Sequence, residues 1–136
     1  MLLILQLYYN SEKFLGCTMA TGNVVEYRAL QTNKTLINLY QKNAEQLGVC
    51  FDYKGSKQGG STDMGNVSAI IPSIHPKFKI ESSSNPHTAG FNEAAIKDIN
   101  QPPTICVAKS LAMTAIDVIL NKDLLRAIKE EFKNRP

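Results

Sequence analysis

The chain has 136 residues, of which 43% are hydrophobic and 20% charged, within the range of one soluble globular domain able to bury a core. Its net charge of +3 comes from 15 Lys and Arg against 12 Asp and Glu scattered along the chain, which argues against nucleic acid as a partner, because phosphate binding needs clustered cations. Cys17, Cys50 and Cys106 are widely spaced without a Cys-x-x-Cys pair, so a zinc knuckle or redox motif is not indicated and a reduced, cytoplasmic chain is expected.

Residues 1–7 are apolar, but they have no basic flank and fall short of the roughly 20 residues of a bilayer span. Neither a signal nor a membrane partner is expected from them. Leu5, Tyr8, Tyr9, Glu12 and Leu15 recur about one helical turn apart, predicting a weakly patterned helix that Thr21, Gly22 and Asn23 would stop. Residues 24–27 then read as a short strand. Asn33 or Thr35 can cap a helix carrying Leu36, Leu39, Tyr40, Ala44 and Leu47, with Gly48 as its stop. Residues 49–51 read as a buried strand and 52–60 as a polar loop.

Residues 61–68 are small and hydrogen-bonding where the flanking apolar segments lead one to expect core. Residues 67–74 predict an apolar strand interrupted by Pro72, and 77–80 another short one. Residues 81–91, rich in Ser, Asn and Pro, read as an exposed loop. Thr104 would open the strongest helix, its apolar face formed by Val107, Ala108, Leu111, Ala112, Ala115, Ile116 and Ile119. Asn121 breaks it, and Leu124, Leu125, Ile128 and Phe132 mark one more amphipathic helix. Strands mixed with long helices predict an α/β arrangement, a partial mixed sheet covered by helices and completed by sequence not present.

The histidines are His75 and His87. For His75 a half-buried place at a strand end outweighs metal ligation. His87 lies in a polar loop ahead of Phe91 and Glu93, where an imidazole can reach a metal and stay accessible, against the plainer reading of a loop residue. A catalytic zinc needs about three protein ligands, so His87 cannot hold one tightly by itself. Asp63, followed by Gly65 and Asn66, is a carboxylate that the backbone could bring close to a ligand, or equally an Asx-turn residue of its own loop. Glu130 and Glu131 resemble the paired carboxylates of dinuclear hydrolases, but Lys129 and Lys133 beside them suggest ordinary helix-surface pairing. Cys106 reads as a small core residue, and no G-x-S-x-G frame supports a serine hydrolase.

Taken in order, residues 60–68 (GSTDMGNVS), 72–76 (PSIHP), His87-Thr88 and Glu93-Ala94-Ala95 resemble the "M-twenty" metallopeptidases, the family of aminoacylase and carnosinase. Residues 108–119 and 123–133 continue the likeness, which covers nearly everything from about Phe14 onward. The resemblance implies that residues 1–30 are a remnant of the lid and dimerisation domain and residues 31–136 the C-terminal part of the catalytic domain. It further implies zinc or another divalent metal, with His87 as the last ligand of a two-metal site and Asp63, Asn66 and His75 facing substrate. The implied reaction is hydrolysis of small dipeptides with a basic C-terminal residue, such as beta-alanyl-lysine, in a parent that could form a homodimer through the lid.

The family's His-x-Asp ligand pair, its adjacent glutamates and its lid histidine have no counterpart in this chain, so inactivity alone is expected. The join between Tyr27 and Asn33 is shorter than the family's, Pro102-Pro103 replaces helix-compatible sequence, and residues 1–10 match poorly. The alternative from another class is a noncatalytic interaction module, or truncated isoform, that keeps the family's packing surface. An unrelated small α/β domain ranks below both.

Overall fold

In a computed structural model of the chain, the described residues are 27–51 and 61–135, with Gln6, Asn10 and residues 14–16. Helix α1, Lys34–Gln46, begins where Asn33 turns its side-chain oxygen onto the amide of Leu36 at 2.9 Å. It ends at Gly48, whose φ of +80° lets the amides of Gly48 and Val49 fold back onto the carbonyls of Glu45 and Ala44, each at 3.0 Å. Cap and stop are those the sequence predicts.

Short helices α2, Met64–Ser68, and α3, Ala89–Ala95, follow, and a 3-10 turn at Asp98–Asn100 leads into α4, Gln101–Leu120. The long helix begins three residues earlier than the sequence predicts. Pro102 and Pro103 fall in its first turn, where the amide that proline lacks has no intrahelical partner anyway. Asn121 ends α4 and starts α5, Lys122–Lys133, with its side chain accepting from the amides of Asp123 and Leu124.

The expected α/β fold is overturned: the described residues are helical and contain no strand, only an isolated parallel bridge between Thr32 and Ser73. Residues 67–71 complete their hydrogen bonds locally instead of in a ladder. Val67 donates to Asp63, Ala69 to Gly65 and Ile71 to Val67. Residues 49–51 and 77–80 are irregular and have no described ladder partner. Residues 24–26 of the first expected strand lie outside the described residues. So does most of the expected first helix, although Gln6, Asn10, Phe14 and Leu15 are helical.

Helix α1 packs on α4, and α5 rests against both. Asn43, 3% exposed, sits in the seam and donates to Thr114 Oγ1 at 3.2 Å and Asp117 Oδ2 at 2.8 Å. Ser110 and Thr114 point into the same seam and return their hydroxyls to the carbonyls of Cys106 and Ser110. Tyr40, Ala44, Ala94, Val107 and Ile128 are the buried apolar side chains among the described residues; Asn33, Asn43, Ser68, Ser73, Asn100, Ser110 and Thr114 are buried with them. The interior is therefore held largely by polar groups, each with a hydrogen bond.

The apolar face expected of α4 is reversed. Of the residues named for it, Val107 alone is buried, while Leu111, Ile116 and Ile119 are 41%, 54% and 76% exposed and the alanines are exposed too. Small polar residues turn inward, and Asn43 of α1 supplies hydrogen bonds to Thr114 and Asp117 there.

Candidate functional site

Residues 61–73 are positioned by hydrogen bonds from two distant parts of the chain. Along the extended segment 28–33, the amide of Arg28 donates to Asn66 Oδ1 at 2.8 Å, that of Gln31 to Ser68 Oγ at 3.0 Å, and that of Asn33 to the Ser73 carbonyl at 2.9 Å. Two side chains thus accept the bonds that a neighbouring strand would otherwise take. From the C-terminus, Arg135 places Nη1 on the Ser68 carbonyl and Nη2 on the Ala69 carbonyl, both at 2.6 Å. Its guanidinium lies 3.8 Å above the Phe132 ring, and its charge meets the negative end of α2.

Gly65 is required by proximity rather than by torsion. A Cβ there would stand 1.7 Å from the carbonyl oxygen of Arg28. Asp63 precedes α2 with its side chain exposed and making no cap bond. Its carbonyl, not its carboxylate, ties the turn by accepting from Asn66 and Val67, and Thr62 Oγ1 takes the amide of Met64 at 3.3 Å.

His75 is exposed between half-buried Ile74 and Pro76, two residues beyond the Thr32–Ser73 bridge. His87 is exposed in the turn before α3 and has a φ of +67°, in the left-handed region that residues other than glycine enter at a cost. Thr88 fixes that turn by donating to the Asn85 carbonyl at 2.7 Å and accepting from the Phe91 amide at 3.3 Å. No described hydrogen bond or ion pair joins Asp63, His75 and His87, and no described group of three His, Cys, Asp or Glu could hold a metal. The described residues do not by themselves fit a bound metal ion.

A cavity of about 500 Å³ lies nearby, lined by Glu81, Ser82, Ser83, Ser84, Glu93 and Lys97 together with Gly90 and Ala94. Asp63, Asn66, His75 and His87 do not line it, whereas Glu93 and Ala94 of the motif at 93–95 do. Asn100, 1% exposed, holds its rim by accepting from the Glu81 amide at 2.7 Å and donating to the carbonyls of Glu81 and Ala94.

Glu131 is not explained by pairing with its lysine neighbours. Its carboxylate caps α1, accepting from the amides of Lys34 and Thr35 at 2.5 and 2.9 Å and from Thr35 Oγ1 at 2.7 Å. Partial desolvation opposes its ionisation, but the Thr35 hydroxyl, the two amides and the Lys34 charge outweigh it and lower its pKa below the ordinary value. Sequence reasoning missed the roles of Glu131 and Arg135 because their partners lie 96 and 67 residues away, with no local pattern to announce them.

No protein-family profile matches the chain. It is 43% identical over 122 residues to the Xaa-Arg dipeptidase of Homo sapiens, a match covering 87% of this chain and 28% of that protein. It is 40% identical over 130 residues to the Xaa-Arg dipeptidase of Mus musculus, covering 88% of this chain and 30% of that protein. The chain is thus a homologue of the Xaa-Arg dipeptidases through most of its own length, while spanning a little under a third of theirs.

Proposed function

We propose that the chain is the C-terminal portion of a metal-dependent dipeptidase that hydrolyses small dipeptides with a basic C-terminal residue, such as beta-alanyl-lysine, and that it is inactive alone. The observation that carries this reading is the match to two Xaa-Arg dipeptidases over 87–88% of the chain. In this reading residues 1–30 are what remains of a lid and 31–136 belong to the catalytic domain. His87 contributes one imidazole to a zinc or similar divalent site whose other ligands lie outside the chain. Its exposure and the left-handed turn that holds it support that role. Asp63 and His75 reach solvent from the same fold and face substrate. Asn66 faces substrate with them, its Oδ1 also accepting from the amide of Arg28 at 2.8 Å.

The test is hydrolysis of beta-alanyl-lysine by the purified chain, with zinc and with a chelator. No turnover is expected in either case. Chelator-sensitive turnover would overturn inactivity alone. Reconstitution with the remaining part of a dipeptidase should yield turnover that His87→Ala abolishes; full turnover in that variant would remove His87 from the site.

A further inference from the structure

The outer side of α4 exposes a run of large apolar side chains. At 100° per residue, Leu111, Ile119, Ile105, Ile116 and Leu120 sweep about half the helix circumference, with alanines between them and Lys109 as the one charge. Ile96 and Ile99, 75% and 64% exposed, extend the surface past the helix start. A helix at a water boundary has the opposite polarity, apolar inward and polar outward. Here the polar side, with Ser110, Thr114 and Asp117, is the one packed on α1.

We propose that this face docks on polypeptide equivalent to the part of an Xaa-Arg dipeptidase that the chain does not match. The inference rests on the proposed function in taking the chain as a dipeptidase portion. More than two thirds of each relative lies outside the match, and a match over 87% of the chain reaches into α4 wherever its ends fall. The relatives therefore contain this helix together with a large body of chain that is absent here, and an apolar half-cylinder is what such a body covers.

A membrane is the less fitting occupant, although Asp98–Leu120 is long and apolar enough to cross one. The inward side of the helix is tied to Asn43 through Thr114 and Asp117, and insertion would leave those groups without water or partners.

The test mixes the full 136-residue chain with human Xaa-Arg dipeptidase from which the matched segment has been deleted, and measures molar mass by sedimentation. A one-to-one complex is expected. Ile116→Glu with Ile119→Glu should weaken it at least tenfold, and the milder Ile116→Ser with Ile119→Ser should weaken it in the same direction, with the helical circular dichroism of the chain unchanged. Absence of a complex, equal binding by the variants, a stable dimer of the chain alone through this face, or partition into phosphatidylcholine vesicles would each overturn the proposal. A complex that forms without hydrolysing dipeptide supports docking while counting against the proposed activity, so the two readings fail separately.

Discussion

Glu131, near the end of the last helix, holds the amino end of the first helix through Thr35, accepting from both its amide and its hydroxyl. Because this carboxylate is ionised more readily in the folded chain than in the unfolded one, it stabilises the fold above the ordinary glutamate range near pH 4.5. That contribution is lost as pH falls through the lower folded value. Glu131→Gln should cost about 1 kcal/mol at pH 7, a typical helix-cap magnitude. Urea titrations at pH 7 and pH 3 check it: the gap between variant and parent should be smaller in acid.

Gly65→Ala should be among the most disruptive single-methyl changes in the chain, since the added carbon collides with backbone at Arg28. A cost of about 1–3 kcal/mol is expected, as for other overpacked sites. Gly48→Ala provides the contrast. A Cβ there meets nothing within 4 Å, and the cost is that of holding φ at +80° alone, about 1 kcal/mol. Thermal midpoints of the two variants should differ in that order.

Arg135→Ala removes both bonds to the end of α2 and should loosen residues 66–71 before the remainder unfolds. Hydrogen exchange should show lost protection confined to that segment. Arg135→Lys should not restore it, because an ammonium cannot present two parallel donors to adjacent carbonyls.

Asn43→Leu preserves bulk in the α1–α4 seam but leaves Thr114 and Asp117 without their donor. A loss of about 1–3 kcal/mol is expected from the unpaired groups. Chemical denaturation of N43L beside N43L/D117N would show whether the loss resides in the stranded carboxylate, which the double variant relieves.

The helices were legible where the signal is local. Asn33 as cap, Gly48 as stop and Asn121 as the break between α4 and α5 follow from side-chain chemistry within a few residues. The sheet was not. Residues 67–74 carry an apolar run that a strand and a short helix share, and only the bond from Val67 to Asp63 and its successors decide for the helix. The facing of α4 is not legible in the sequence, because apolar periodicity locates a surface that avoids water without saying what lies against it. The dipeptidase likeness was legible from the order of short motifs, and the two relatives bear it out. Relations among Asp63, His75 and His87 could not be read this way, since spacing along a chain says nothing of separation across loops.

The seam built from Asn43, Ser110 and Thr114 has a calorimetric consequence. Heat-capacity change on melting scales with the oily area newly wetted, and amides and hydroxyls contribute with the opposite sign. A chain whose interior is so rich in such groups, and whose branched residues already meet solvent, should give a smaller step between its cold and hot baselines than others of 136 residues. Its stability curve against temperature should be correspondingly flat.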